Sequence, residues 1–174
     1  DVPVCRDSLG QIAISAEPAI RQVFVNSQGI SGDEYERKLF LARKRAEREV
    51  SRTIGAKGED FYVCSLSSRT ICYKGMFMAR QLFAYYPDLA DQRMVSAIAL
   101  VHQRYSTNTF PSWPLAQPFR CIAHNGEINT LNGNRNNMKA SEFSMSSELF
   151  GDDIKDIFPA VAATGSDSMT FDNC

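Results

Sequence analysis

Apolar residues recur at three- to four-residue spacing through positions 33–53. Tyr35, Leu39, Ala42, Ala46 and Val50 would share one face of a helix there. Ser31 stands three residues before Glu34, the spacing of a capping box. The other positions are dense in Arg, Lys and Glu, with Glu34 and Lys38 one turn apart. Such a run is either a solvated face or a basic binding patch, and mixed signs at helical spacing favour the first. β-branched and aromatic runs predict strands over residues 20–26, 94–105 and 119–123, the second apolar enough to be buried. Residues 61–66 and 70–73 flank Ser67-Ser68-Arg69 and predict a hairpin. Further helices are expected over 76–83, over 129–141 after Thr130, and over 147–158 with Pro159 at the end. Residues 1–18 read as loop with one short element, 29–32 as a turn and 56–60 as a loop. Residues 110–118 hold Pro111, Pro114 and Pro118 and read as a constrained, extended loop.

Strands and helices mix without a regular βαβ beat, which predicts layered α+β architecture with much antiparallel pairing. The 174 residues, 44% hydrophobic and 22% charged, suffice for one domain with a sizeable core. A net charge of -1, from 19 basic and 20 acidic residues, leaves no electrostatic footprint for nucleic acid or an anionic membrane. No apolar run is long enough for a transmembrane helix, and residues 1–10 lack the parts of a signal peptide. The five cysteines are irregularly spaced, only two histidines occur, and there is no Cys-x-x-Cys pair. Neither a disulfide framework nor a zinc site is expected, and a reducing compartment is the default. Cys64, Cys72 and Cys121 lie in apolar strand patterns, where cysteine behaves as a small hydrophobe.

Three clusters carry candidate chemistry. In His102-Gln103-Arg104-Tyr105-Ser106-Thr107-Asn108-Thr109 an apolar run delivers an arginine whose planar fork fits a carboxylate. The plainer alternative is a surface salt bridge. His124-Asn125-Gly126-Glu127-Ile128 is either an ordinary Asn-Gly turn or an oxyanion hole. In the second case the Asn125 amide and the Gly126 N–H would meet one developing negative oxygen. Thr164-Gly165-Ser166-Asp167-Ser168 offers a carboxylate for an ammonium group, or a helix N-cap. His102 and His124 each follow an apolar run and are candidate general bases, although no Ser-His-Asp order accompanies them. Trp113 reads as a packed aromatic rather than a pocket wall.

Together the clusters say more. Residues 102–134 read HQRYSTNTFPSWPLAQPFRCIAHNGEINTLNGN. This stretch resembles the glutamine amidotransferase domain of glutamate synthases, as do GSDSMTFDN at 165–173 and YKGMFMARQLFAYYPDL at 73–89. The resemblance implies an N-terminal-nucleophile hydrolase fold, two β-sheets between helices (αββα), with residues 1–174 part of one domain that extends beyond both ends. It implies hydrolysis of L-glutamine to glutamate and ammonia. The family's nucleophile is the thiol of the domain's first residue, a cysteine, with its own α-amino group as base. This chain starts at Asp1, and the Cys5 amine is tied in a peptide bond. The nucleophile is therefore expected to be missing and the isolated chain inactive.

By the same resemblance, Arg104 holds the glutamine α-carboxylate, Asp167 pairs with the α-amino group beside Gly165, and Asn125 and Gly126 form the oxyanion hole. No cofactor or metal is expected in this chain. The family's further domains bind FMN and an iron–sulfur cluster, condense ammonia with 2-oxoglutarate and reduce the product. Expected partners are L-glutamine and the remaining domains of the same polypeptide, with no nucleic acid and no membrane. The implied location is cytoplasmic, or a plastid in a photosynthetic eukaryote. Two alternatives stay open: a glutamine-binding module without catalysis, and another class-II amidotransferase, since those share the His-Asn-Gly core.

Overall fold

The periodicity around Leu39 is realised as a helix in the computed structural model, which describes residues 1–55 and 61–174. The loop expected at 56–60 lies outside the described residues. α1 (Gln11–Ser15) is the short element of the N-terminal loop, and α2 (Gly32–Ile54) is the long helix. Asp33 and Glu34 sit in the first turn of α2, where carboxylates suit the helix dipole. Ser31 makes no side-chain cap bond, so the capping box does not form. Carboxylates of this end of α2 instead hold the 67–69 turn. Glu36 accepts from Ser67 Oγ (2.8 Å) and Ser68 N (2.8 Å), and Asp33 pairs with Arg69 (2.5 Å).

The buried face of α2 also differs from expectation. Leu39, Leu41 and Arg43 are buried, whereas Ala42 and Ala46 are exposed. The Arg43 guanidinium lies over the Phe40 ring (5.0 Å) and pairs with Glu47 (3.2 Å). A long alkyl stem covers apolar surface that an alanine cannot reach. Part of the charged run is a docking seam. Arg45 and Arg48 both reach Asp156 (2.6 and 2.7 Å), and Lys44 donates to Pro159 O (2.6 Å). The segment met there, expected to be a helix over 147–158, is a 3-10 turn at Gly151–Asp156.

The helix expected at 76–83 starts later, as a 3-10 turn at Ala79–Gln81 that runs into α3 (Leu82–Tyr85). Met78 is extended, and its N–H donates to Gln81 Oε1 (2.7 Å), which fixes the start. α3 delivers Tyr85 and Tyr86 to an aromatic core with Leu9, Ala13 of α1 and Trp113. The Trp113 indole N–H donates to Ala13 O (3.1 Å), and its ring meets Phe77 edge-on (6.0 Å). Gly75 allows this approach: a Cβ there would lie 2.5 Å from Trp113 Cζ3 and closer still to the Phe77 ring. The 110–118 loop is thus buried at its centre and turns at Trp113–Ala116 (3.3 Å) rather than running extended.

α4 (Leu131–Ser141) follows Thr130 as expected, and α5 (Asp167–Asp172) is capped by Ser166, whose Oγ accepts from Met169 N (3.1 Å). No strand forms among the described residues, so the strands expected at 20–26, 94–105 and 119–123 and the 61–73 hairpin are corrected. Residues 92–101 are exposed, with Val95 86% and Ile98 81% accessible. At 119–122 the chain folds back, Phe119 N–H donating to Ile122 O (3.1 Å). An apolar alternating run reports what a strand would bury, but a ladder also needs a partner in register, which the run does not supply. The two-sheet sandwich is accordingly not observed among the described residues.

Candidate functional site

Two depressions among the described residues bear on function. The larger, about 570 Å³, is open and mostly apolar, lined by Leu9, Ile12, Met76, Phe77 and Tyr105 among others. The chemistry gathers in the smaller one, about 200 Å³, walled by the 102–107 and 124–127 segments and by Gln117. Arg104, Asn125 and Gly126 share this wall with Ser106, Thr107 and Glu127. Arg104 is exposed, and its guanidinium has no ion pair among the described residues. The Gln117 Oε1 is buried without a hydrogen-bond partner among them, leaving an acceptor at the cavity.

The two histidines hold the walls together. Arg104 N–H donates to His102 Nδ1 (3.1 Å), so His102 Nε2 carries the hydrogen and donates to His124 O (2.7 Å). Gly126 N–H likewise meets His124 Nδ1 (3.3 Å), leaving His124 Nε2–H to donate to Ser168 Oγ (2.7 Å). Both rings are occupied as linkers. That arrangement suits positioning better than proton abstraction, the role the sequence had left open for them. Thr107 Oγ1 donates to Glu127 across the cavity.

Asp167, 1% exposed, stands behind the wall rather than on it. Its Oδ1 accepts from Ser106 Oγ (2.9 Å) and Ser168 N (2.7 Å), and its Oδ2 from Ile128 N (2.8 Å). Burial pushes the carboxyl up, but the Ile128 and Ser168 N–H groups and the two serine hydroxyls outweigh it and hold the pKa below the usual carboxylate value. The carboxylate therefore reaches the cavity through Ser106. Gly165 lies further off, at φ +101, where Met169 Sδ would be 2.7 Å from a Cβ. Arg135 Nη2 donates to Gly165 O (3.0 Å) and so anchors that turn.

Ser106, Ser168 and Ile128 fall within the candidate clusters, but sequence reasoning gave them no role. Their signal is only adjacency to Arg104, Asp167 and Glu127, because serine and backbone partners depend on folding geometry. No Cys lines the cavity. Among the described residues no cluster of His, Cys, Asp and Glu could hold a metal ion. No described helix is long and apolar enough to cross a membrane.

An arginine fork, a side-chain amide and a backbone N–H thus share one cavity wall. Residues 1–174 match the family model for class-II glutamine amidotransferases, and the chain belongs to that family. Its curated relatives narrow the likeness. It is 50% identical over 172 residues to the NADPH glutamate synthase large chain of Azospirillum brasilense, covering 98% of this chain and 11% of that protein. It is 44% identical over 179 residues to the NADH glutamate synthase of Saccharomyces cerevisiae, covering 99% of this chain and 8% of that one. It is 43% identical over 175 residues to the ferredoxin-dependent glutamate synthase of Pyropia yezoensis, covering 98% and 11% respectively. The chain thus spans about a tenth of the length of the curated relatives it matches.

Proposed function

We propose that this chain forms the glutamine-binding wall of an enzyme that hydrolyses L-glutamine and passes the ammonia to 2-oxoglutarate, giving two glutamates in all. The observation that carries the reading is the shared cavity wall of Arg104, Asn125 and Gly126 in a member of this family. In the proposed reaction the Arg104 fork binds the α-carboxylate, and Asp167, beside Gly165 and through Ser106, draws the α-ammonium. A thiolate from outside the described cavity adds to the side-chain amide carbon. The carbonyl oxygen becomes an oxyanion held by the Asn125 amide and the Gly126 N–H. To receive it, Gly126 N–H turns from His124 Nδ1, a long 3.3 Å contact that costs little to break. The amide nitrogen leaves as ammonia with a proton from the general base, and water then releases glutamate from the thioester.

In this reading residues 1–174 are part of one amidotransferase domain of the αββα sandwich type, in a cytoplasmic or plastid enzyme. FMN and an iron–sulfur cluster belong to other domains of the same polypeptide, and no residue here is assigned to them. The three relatives named above carry different electron donors in their names at 43–50% identity, which supports assigning the donor's site to other domains.

The test is glutaminase assay of the full-length gene product. Arg104→Ala should lower kcat/KM about tenfold to a thousandfold, mainly through KM, because an ionic hydrogen-bonded pair is lost. Asn125→Ala should lower kcat about 10²- to 10³-fold with KM nearly unchanged. Unchanged kinetics in both variants would overturn the reading. Glutamine binding abolished by Arg104→Ala without any turnover by the parent protein would favour a binding module instead.

A further inference from the structure

One segment of the smaller cavity carries the Arg104 fork, and the other carries the Asn125 and Gly126 donors. Among the described residues no backbone–backbone hydrogen bond joins residues 102–109 to residues 123–128. The separation of fork and donors is therefore not set by a ladder. Side chains set it.

Two rungs cross between the segments. His102 Nε2 donates to His124 O (2.7 Å), and Thr107 Oγ1 donates to Glu127. Arg104 lies between His102 and Thr107 in its segment, and Asn125 and Gly126 lie between His124 and Glu127 in theirs. The functional groups are thus bracketed at both ends. The rungs are unequal: Thr107 and Glu127 are exposed, whereas His102 and His124 are partly buried. Water competes less for the histidine rung, so it carries more of the spacing. Arg104 N–H donates to His102 Nδ1 (3.1 Å), which seats the fork's own backbone on that rung.

A third connection runs behind the cavity through the first turn of α5. Ser168, 0% exposed, accepts from His124 Nε2 on its Oγ (2.7 Å) and lies 3.0 Å from Ser106 Oγ. One buried hydroxyl so touches both segments. Its neighbour Asp167 also holds both, through Ser106 Oγ (2.9 Å) and Ile128 N (2.8 Å). Fork and donors are fixed to one block, the condition for a precise site.

A bound amino acid must place its α-carboxylate in the fork and its side-chain carbonyl at the donors. The separation between them then selects the number of methylenes in the substrate. We propose that His102 and Ser168 are positioning residues that set this separation, so that the site takes L-glutamine and rejects L-asparagine, which is one methylene shorter. The inference rests on the glutamine reading given above. Neither residue meets the reacting atoms: His102 acts through His124 and the Arg104 backbone, Ser168 through His124 and Ser106. One methylene in a fixed site is worth about 10- to 200-fold in kcat/KM. A misplacement of about 1 Å costs on the order of 10²-fold in rate.

The test is the ratio of kcat/KM for glutamine to that for asparagine, read on the full-length gene product as glutamate and aspartate released. The fraction of folded enzyme cancels in this ratio, so a loss of stability alone leaves it unchanged. The wild-type ratio should be at least about 10. His102→Leu cuts the rung, and Ser168→Ala removes the shared hydroxyl. Each should lower kcat for glutamine about 10²-fold with KM little changed, because the fork remains. Each should also narrow the ratio about tenfold, since asparagine loses far less. His102→Gln keeps an N–H within reach of His124 O and should restore most of the ratio. A wild-type ratio near one, or a ratio unchanged in both His102→Leu and Ser168→Ala, would overturn the proposal. So would a ratio lost in His102→Leu and not regained in His102→Gln, because the ring would then act by bulk alone. In each of these cases the fall expected of Arg104→Ala would leave the glutamine reading standing. Glutamine turnover unaltered in Arg104→Ala would remove that reading, and this inference with it.

Discussion

Asp167 shows how much one side chain can fix. Its carboxylate accepts from Ile128 N, Ser168 N and Ser106 Oγ, tying α5 to both cavity segments. Because its folded-state pKa is depressed, it contributes stability that is present above its unfolded value near 4 and is lost as pH falls through the folded value. Asp167→Asn would set an amide NH2 or a weaker carbonyl against those donors. The expected cost is about 2–3 kcal/mol at neutral pH, the worth of hydrogen bonds to a charged group. Urea melts over acid to neutral pH should show the wild-type advantage disappearing below about pH 4. A difference independent of pH would mean that packing, not the charge, is what Asp167 supplies. At this scale the sequence was informative about identity and silent about partnership. Arg104, Asn125 and Gly126 could be picked out as candidates because their groups are distinctive, and all three line one cavity. The seat of Asp167 behind Ser106 could not be, because it depends on segments about 60 residues apart in the chain.

The seam between α2 and the Gly151–Asp156 turn carries a pH signature of the same sign in an alkaline window. Burial, reinforced by the Arg43 charge, lowers Lys44 to about 8. That is below the unfolded lysine value near 10.4. Between these values the unfolded chain binds the extra proton, so stability rises with pH across that window. Relative to Lys44→Met, the wild type should gain stability as pH rises from about 8 to about 10 and show no such trend below 7. Chemical denaturation of the pair of proteins checks this, and a flat difference across the window would remove Lys44 from the account. The extent of α2 was readable because twenty residues of mixed charge at helical spacing have few alternatives. Its buried face was not. Arg43 took the place expected of Ala42 and Ala46, since a long stem and a guanidinium over Phe40 outcompete two methyl groups. The strands failed for a related reason: pattern specifies a face, whereas pairing depends on distant backbone.

For the molecule as a whole, surface is the informative quantity. The chain exposes 11968 Å², whereas a compact monomer of 19.4 kDa exposes about 8,500 Å². Val23, Phe24 and Val25, and Val95, Ile98, Leu100 and Val101, contribute apolar surface to the excess. Such patches associate or meet other protein. The 174-residue chain should therefore bind a hydrophobic dye and self-associate with rising concentration. Val95→Glu with Val101→Lys should reduce both while each lowers the unfolding free energy by no more than about 0.5 kcal/mol. Light scattering that stays monomeric in the unsubstituted chain would contradict this. The aromatic core has a consequence of another sort. Trp113 is the only tryptophan, 2% exposed and ringed by Phe77 and Tyr85. Four residues on, the same loop supplies Gln117 to the cavity. Its emission is therefore a built-in optical gauge: blue-shifted while the core is closed, and sensitive to whatever settles against Gln117.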